Sequence, residues 1–382
     1  MLMGQTRSIL TTGVTGFLGA RLTASLLAAT SATVFCLVRG RSTEGAAKRM
    51  QARLSALGVP AEHRTRVVPV FGDLGVPGLG MPPADFDELA DSVRTIYHCA
   101  ARLSMVSETD RLSAINVGGT ETMLRLAERG DGTVLHFVST LGTLGASRQA
   151  GQPRVDESAV PTEVTAGGVG YTTSKMVAEN TVRAAMRRGL PAVIHRPGLI
   201  LGETATGACL DSDILVRIIR TCAEIGLAPR CPGWVPAATV DHVVRSITAL
   251  GAADPALVGS TFHLADSRPL LLHQVFRHMR TAGYMISEIP TTEWEQVLRE
   301  HPESTNCFAV LAMWKAVRYL LGTDPDHLFP QVSCDRTAGV LAQLGVPPSP
   351  PPDETLFHRM FEHLSRTGHL DTPPVLAAVA PG

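Results

Sequence analysis

The stretch Thr11-Thr12-Gly13-Val14-Thr15-Gly16-Phe17-Leu18-Gly19 decides the fold of this chain. It follows a short apolar run and precedes Ala20–Leu27, whose apolar positions recur at helical spacing. A strand, a glycine turn and a helix in this order form the context in which such a motif binds a dinucleotide. Gly13 permits a sharp turn, Gly16 lets backbone N–H groups approach a pyrophosphate, and Gly19 lets helix and strand pack closely. The spacing is G-x-x-G-x-x-G rather than G-x-G-x-x-G, so a plain strand–helix turn is the alternative.

Length and composition indicate a globular protein. The 382 residues allow one large or two smaller domains, with 45% hydrophobic and 18% charged residues. A formal net charge of -1 excludes the basic surface typical of nucleic-acid binding. The seven cysteines form no C-x-x-C pair and no metal-ligand spacing, which favours a reducing compartment. No signal peptide and no bilayer-spanning run is recognisable. We therefore expect a cytoplasmic protein with no metal, nucleic-acid or membrane partner.

Strands and helices alternate through the first two hundred residues. Apolar, β-branched runs predict strands at Ala32–Val38, Arg66–Phe71, Thr95–His98, Thr133–Val138 and Ala192–His195. Helical patterns lie between them, at Glu44–Leu57, Asp85–Ser92, Asn116–Arg129 and Tyr171–Arg188. This alternation predicts an α/β fold of the Rossmann type, a doubly wound parallel sheet.

The pattern changes beyond about Leu201. Helical segments then predominate, at Asp213–Ala223, Val240–Leu250, Leu272–Thr281, Thr292–Glu300, Ala309–Leu321, Thr337–Leu344 and Glu354–Ser365, with one short strand at Ser260–Leu264. We predict an NADP-binding domain over 1–205, to which 240–265 returns, and a smaller, mostly helical substrate domain over 206–382. The cleft between the two is the expected site.

The second strand ends in Arg39-Gly40-Arg41. In such folds an acidic residue here binds the adenosine ribose hydroxyls, whereas arginine suits a 2′-phosphate. Two arginines and no acid favour NADPH over NADH. A pair of exposed loop arginines is the alternative.

Tyr171 and Lys175 lie four residues apart at the start of a predicted helix and so share one face. An ammonium beside a phenol is expected to lower the phenol pKa from about 10, which prepares the hydroxyl to act on a carbonyl oxygen. Thr140, after the fifth strand, offers a second hydroxyl to the same oxygen. The Y-x-x-x-K spacing is frequent by chance on surface helices, and it gains weight from the glycine turn upstream. His98 and Cys99 adjoin a buried strand, where packing is expected rather than catalysis.

A series of motifs carries a family resemblance. They are Thr12-Gly13-Val14-Thr15-Gly16-Phe17-Leu18-Gly19, Leu37-Val38-Arg39, Gly72-Asp73-Leu74, His98-Cys99-Ala100-Ala101, Asn116-Val117-x-Gly119-Thr120, Val138-Ser139-Thr140, Tyr171-x-x-x-Lys175 and Arg196-Pro197-Gly198. In this order they resemble the extended short-chain dehydrogenases/reductases. More narrowly, the chain resembles the thioester reductase domains that terminate nonribosomal peptide and polyketide assembly lines and that occur in carboxylic acid reductases. The resemblance covers nearly the whole chain and is firmest up to about Gly202.

The resemblance implies roles for individual residues. The catalytic group is Thr140, Tyr171 and Lys175, with Thr140 preferred to Ser139 by its offset from Gly145. The implied cofactor-binding residues are Thr12, Gly13, Thr15, Gly16, Phe17, Leu18 and Gly19 at the pyrophosphate turn, Arg39 and Arg41 at the 2′-phosphate, Asp73 and Leu74 at the adenine, and Cys99, Ala100, Ala101, Lys175, Pro197 and Gly198 along the rest of the cofactor.

The implied reaction is NADPH-dependent reduction of an acyl or peptidyl thioester to an aldehyde, or on to an alcohol. The thioester is held on the phosphopantetheine of a carrier protein or domain, which we expect to be supplied by another polypeptide or segment. Leu210-Asp211-Ser212 lacks the Gly-Gly that precedes a carrier serine and is expected to cap the next helix. The isolated domain is expected to be a monomer.

Other functions stay open at this point. The chain could be an NADP-dependent dehydrogenase or epimerase acting on a small molecule or sugar nucleotide, although Arg39 contradicts the NAD preference of many such enzymes. It could also sense NADP without turnover, although a pure binder has no need of Tyr171 and Lys175. Arginines such as Arg183, Arg187 and Arg188 could hold an acidic carrier, and a solvated helix face explains them equally well.

Overall fold

A computed structural model describes residues 8–40, 42–103, 112–253, 255–323 and 325–373. The strands are β1 (Ile9–Thr12), β2 (Val34–Val38), β3 (Val67–Phe71), β4 (Thr95–His98), β5 (Val134–Val138), β6 (Arg154–Val155), β7 (Ala192–Pro197), β8 (Leu199–Leu201), β9 (Leu227–Arg230), β10 (Trp234–Val235), β11 (Ala237–Thr239), β12 (Thr261–Leu264), β13 (Leu270–Leu271), β14 (Ser287–Pro290) and β15 (Gln331–Val332). The α-helices are α1 (Phe17–Ala29), α2 (Thr43–Ala56), α3 (Ala61–Arg64), α4 (Pro83–Ser92), α5 (Gly119–Arg129), α6 (Gly170–Arg187), α7 (Ile214–Ile225), α8 (Val240–Ala252), α9 (Leu272–Thr281), α10 (Thr291–Glu300), α11 (Thr305–Ala312), α12 (Trp314–Leu321), α13 (Asp335–Gln343) and α14 (Glu354–Arg366).

A seven-stranded parallel sheet organises the fold, in the order β12-β7-β5-β4-β1-β2-β3. The predicted Rossmann-type sheet is thus confirmed. The strand order reverses at β1, where Thr12 lies opposite Leu37 of β2 and His98 of β4. In open parallel sheets, ligands bind beyond the carboxyl ends of the strands at such a reversal. The glycine turn follows β1 at this point.

Helices cover both faces of the sheet. On one face α1, α2, α8 and α13 bury Leu22, Met50, Val243 and Leu341, while on the other α4, α5 and α6 bury side chains such as Phe86. Strand β12 and helix α8 come from residues 240–264, after the chain has already left the sheet once. These contacts support the proposed division, in which 240–265 returns to the cofactor domain.

The C-terminal lobe has a core of its own. Trp294, Phe276 and Phe357 are fully buried there, between helices α7, α9 to α12 and α14. The helix predicted over Ala309–Leu321 is instead two helices, α11 and α12, that meet at Met313, whose backbone leaves helical geometry. The apolar pattern runs on without Gly or Pro across this joint, so no sequence signal marks the break.

Candidate functional site

A cavity of about 430 Å³ lies beyond the carboxyl ends of the strands, between the sheet and the C-terminal lobe. The predicted site residues that line it are Gly13, Gly16, Phe17, Leu18, Gly19, Cys99, Ala100, Ala101, Thr140, Tyr171, Lys175, Pro197 and Gly198. Those outside its lining are Thr12, Thr15, Arg39, Asp73 and Leu74, and Arg41 lies outside the described residues. The structure therefore gathers the glycine turn and the three predicted catalytic residues around one space.

The glycine turn is closely packed backbone. Gly13 has a φ of +82°, and a Cβ added to it would lie 3.1 Å from the Cα of Ala100. A Cβ on Gly19 would lie only 2.3 Å from the carbonyl oxygen of Gly13. Helix α1 begins after Gly16 with no side-chain cap, so its first N–H groups stay available to a ligand. A side-chain-free turn at a helix N-terminus fits the pyrophosphate of a dinucleotide.

Thr12 organises the turn from beneath. Its Oγ1 lies 2.9 Å from Nδ1 of His98 and accepts a hydrogen bond from the N–H of Ala100 at 3.0 Å. Nε2 of His98 lies 3.2 Å from Oγ1 of Thr120. Burial, together with the charge of Lys175, lowers the pKa of His98 to about 3. His98 is thus a neutral packing residue, as predicted, and Thr12 shapes the cofactor side through the backbone.

The predicted adenosine end lies beside β2 and β3. The side chain of Arg39 is 68% exposed, and its Nη1 lies 3.6 Å from Oδ2 of Asp73. Nη2 of Arg49 donates to the carbonyl oxygen of Arg39 at 2.9 Å. Arg49 was not predicted as a site residue because it lies within α2, ten residues after Arg39 and outside the motif. Leu74 packs against Gly119 at the start of α5.

Lys175 is almost fully buried at the base of the cavity. Its Nζ donates to the carbonyl oxygen of Val138 at 2.6 Å and lies 4.1 Å from the centre of the Phe137 ring. Burial lowers the pKa of Lys175 to about 8, and the charge of Glu179 acts in the opposite direction. Lys175 is therefore mostly an ammonium at neutral pH and becomes neutral as pH rises through about 8.

Tyr171 differs from the prediction. Burial, and next the charge of Asp213, raise the pKa of its phenol instead of lowering it. Lys175 is directed to the carbonyl of Val138, so it does not offset the cost of burying a phenolate. Within the described chain the phenol has no hydrogen-bond partner. A neutral phenol is a hydrogen-bond donor, which is the form needed to bind a carbonyl oxygen.

The choice between Ser139 and Thr140 has a structural basis. The hydroxyl of Ser139 is buried and donates to Oε2 of Glu179 at 2.7 Å. Both residues line the cavity, but Oγ1 of Thr140 accepts a hydrogen bond from the N–H of Gly142 at 3.1 Å, which leaves its O–H free to donate. The geometry thus supports Thr140 as the second hydroxyl.

Sequence reasoning missed several groups at the cavity. Asp213 caps α7 by accepting from the N–H of Leu215 at 2.9 Å, and burial raises its pKa to about 6. The predicted cap at residues 210–212 is therefore one residue early. Outside the cavity lining, Asn116 hydrogen-bonds to both Arg102 and Ser174, and Ser174 precedes Lys175.

The C-terminal lobe adds an apolar wall whose members include Ala316, Tyr319, Leu320 and Phe329. Nothing in their local sequence marks them, because only the fold brings them to the cavity.

Comparison with known proteins identifies the family. The family described as Male sterility protein, a nicotinamide-dinucleotide-binding family, matches residues 11–247. The chain belongs to this family. The predicted membership among extended short-chain dehydrogenases/reductases of the thioester reductase kind is confirmed.

Several relatives match nearly the whole of this chain. A linear gramicidin synthase of Brevibacillus parabrevis is 32% identical over 96% of this chain and 7% of that protein. The terminal R domain of the myxalamid PKS-NRPS pathway is 31% identical, with a TM-score of 0.87 over 97% of this chain and 94% of that one. The reductase domain of a nonribosomal peptide synthetase from Mycobacterium tuberculosis is 25% identical, with a TM-score of 0.77 over 96% and 93%. The chain spans between 7% and 25% of the length of the first curated relatives it matches.

Two further observations concern the described residues alone. None of their helices is long and apolar enough to cross a membrane. None of their His, Cys, Asp and Glu side chains cluster in a way that would hold a metal ion.

Proposed function

We propose that this domain is an NADPH-dependent thioester reductase that releases an acyl or peptidyl group from a carrier as an aldehyde, or on to an alcohol. The observation that carries the proposal is the convergence of the glycine turn with Thr140, Tyr171 and Lys175 on one cavity. Similar reductase domains in peptide synthetases support it. The thioester, its carrier and the product belong to the proposal, because the relatives are much longer proteins.

We infer NADPH rather than NADH from the charges at the adenosine end. Arg39 is exposed beside the end of β2, and Arg49 supports its backbone. Arginine binds phosphate through paired, charge-assisted hydrogen bonds. Asp73 holds the guanidinium of Arg39 near this position and is the carboxylate that a 2′-phosphate would compete with.

Tyr171, Thr140 and Lys175 have different roles at the thioester carbonyl. When bound, NADPH would supply the hydride that reduces the thioester carbonyl carbon. The C–S bond then breaks, and the pantetheine sulfur leaves as a thiol while the aldehyde is released. Tyr171 donates a hydrogen bond to the carbonyl oxygen, and its raised pKa keeps the phenol protonated until negative charge develops there. Thr140 donates a second hydrogen bond to the same oxygen. Lys175 contributes positive potential from the base of the cavity, where low polarity strengthens it.

The cavity also suits a thioester chemically. Its walls are mostly apolar, and Leu320 and Phe329 from the C-terminal lobe line it together with Tyr171 and Lys175. Such walls limit the access of water, which would compete for the carbonyl. An acyl group attached through a slender pantetheine arm is able to enter a cleft of this kind while its carrier stays outside.

The test is turnover of NADPH with a panel of acyl-pantetheine thioesters, with products identified by mass spectrometry. Tyr171→Phe is expected to bind NADPH nearly as tightly as the wild type and to lose thioester-dependent NADPH oxidation. Thr140→Val is the matched second variant, with a smaller loss. Unchanged turnover in Tyr171→Phe would remove Tyr171 from the mechanism.

The same panel addresses the other functions. Turnover of sugar nucleotides or free alcohols with no turnover of thioesters would favour a dehydrogenase or epimerase. Tight NADPH binding with no turnover of any substrate would favour a sensor. The reductases among the relatives support the thioester reaction over both.

A further inference from the structure

A buried carboxylate lies beneath the cavity and has no part in the reaction as proposed. Glu179 follows Lys175 by one turn on α6 and is fully buried. It accepts hydrogen bonds from Oγ of Ser139 at 2.7 Å, from Nε of Arg183 at 2.9 Å, and from Nη2 and Nε of Arg196 at 2.6 and 3.1 Å. We propose that Glu179 is a positioning residue that keeps Lys175 charged and fixes the Ser139–Thr140 corner for catalysis. The inference rests on the proposed function.

Glu179 lies among positively charged side chains. Lys175, Arg183 and Arg196 are three positive groups within this small, mostly buried region, with side chains of Arg183 and Arg196 only 15% and 0% exposed. Arginine does not give up its proton in proteins. Burial favours the neutral form of an amine, so Lys175 is the cation that can discharge. Glu179 opposes that discharge.

The other groups that face Lys175 supply no negative charge. Burial raises the pKa of the Cys99 thiol to about 12, so it stays protonated, and His98 stays neutral because its pKa is lowered to about 3. Tyr171, on the same helix, is held as a neutral phenol. Arg196 and Arg183 hold the pKa of Glu179 below its ordinary value, although burial alone would raise it. Asp213 also lines the cavity, and its charge acts on the phenol of Tyr171, whereas Glu179 is the carboxylate whose charge opposes the discharge of Lys175.

Glu179 also reaches Thr140 through its neighbour. The N–H of Ser139 donates to the carbonyl of His195 at 2.7 Å, and its hydroxyl donates to Glu179. Both the backbone and the side chain of Ser139 are therefore held in place. Thr140 follows directly and presents its side chain to the cavity. Arg183, considered from the sequence as a carrier contact, is instead committed to this buried cluster and to Thr261.

The informative variant is Glu179→Gln. Glutamine preserves size and can still accept hydrogen bonds from Ser139 and an arginine, but it carries no charge. Lys175 should then lose its proton at lower pH than the wild-type value of about 8. The rate should be close to that of the wild type at the lowest pH and fall away as pH rises, with a loss of about fivefold or more by pH 8 for a pKa that is lower by about one unit. A purely structural lesion would lower the rate by one factor at every pH.

The protonation of Lys175 is measurable without turnover. The chain contains three lysines, Lys48, Lys175 and Lys315. Labelling lysine with ¹³C at the ε position therefore gives three NMR signals, which single Lys→Arg changes at Lys48 and Lys315 assign. We expect the Lys175 titration midpoint to fall by at least about one pH unit in Glu179→Gln. An unmoved midpoint would overturn the inference.

Two more variants complete the design. Arg183→Gln removes a cation that is paired with Glu179, so more of the Glu179 charge acts on Lys175 and its midpoint should rise; the inference thus stays testable if Glu179→Gln does not fold. A midpoint that is unmoved or lower there contradicts it. Glu157→Gln is the matched control, because Glu157 is a buried carboxylate bound to Thr337, and it should leave the midpoint unchanged. A shifted midpoint in a protein whose wild type reduces no thioester would refute the proposed function and leave the charge relationship intact.

Discussion

Gly19→Ala tests the glycine turn with a single methyl group. A Cβ at this position would stand 2.3 Å from the carbonyl oxygen and 2.6 Å from the carbonyl carbon of Gly13. Non-bonded carbon contacts settle near about 3.5 Å, so helix α1 and the turn must separate by about 1 Å. The neighbour is backbone, which has no rotamer with which to give way. Forcing an extra carbon into a packed site costs about 1–3 kcal/mol of unfolding free energy.

The assay pairs denaturant unfolding with NADPH binding measured by fluorescence. Gly19→Ala should lose stability by the amount above and bind NADPH more weakly, because the turn that moves is the turn that holds the pyrophosphate. Gly339→Ala is the matched control, since no heavy atom lies within 4 Å of its added Cβ. That glycine is inside α13, where alanine is favoured by about 1 kcal/mol, so the control should be more stable than the wild type.

The proposed role of Gly19 is refuted if Gly19→Ala matches the wild type in both stability and NADPH affinity. That result would mean that α1 and the turn are not in contact as described. A stability loss with normal NADPH affinity would separate the packing role of Gly19 from cofactor binding.

Three further predictions concern charge. Arg39→Ala should weaken NADPH by about tenfold or more, as expected for a charge-assisted hydrogen bond, and leave NADH nearly unaffected; equal losses for the two cofactors would contradict the 2′-phosphate assignment. The wild-type reduction rate should fall as pH rises through about 8, because Lys175 is cationic only below its pKa, and a rate still climbing at higher pH would exclude that role. Asp213→Asn keeps the cap of α7, since Asn and Asp are equally good there. The pKa of Asp213 is raised to about 6 in the fold, so its stabilising contribution is present at low pH and lost as pH rises through that value. Melting temperatures should therefore favour Asp213→Asn over the wild type at pH 7 more than at pH 5, and a constant difference would argue against the raised pKa.

The sequence was informative where local pattern and chemistry coincide. Apolar β-branched runs, separated by helical segments, predicted the parallel sheet, and the spacing of Tyr171 and Lys175 predicted that both lie on one helix face at the cavity. The direction of the phenol pKa could not be predicted in the same way. It depends on burial and on Asp213, which approaches from another lobe. The Glu179 cluster likewise joins segments far apart in sequence.

The residues that the C-terminal lobe contributes to the cavity could not be predicted from the sequence either. The apolar wall that includes Tyr319 and Phe329 comes from segments with no binding motif, and only packing against the sheet gives those side chains a role. The joint at Met313 has no Gly or Pro to mark it. Short strands such as β6 and β15, which pair with each other across the chain, are too brief for periodicity to reveal.

The return of β12 and α8 to the sheet limits how the C-terminal lobe can be exchanged between relatives to change substrate preference. Exchange of the C-terminal lobe by a single cut after β8 would also discard the outermost strand and the helix whose Thr248 meets Ser25 of α1. A chimaera that preserves cofactor binding has to be assembled from alternating pieces, with 240–264 and α13 retained from the parent. Transplanting the lobe as one contiguous block would replace this strand and helix too, so the donor's residues would have to re-form their contacts with β7 and α1.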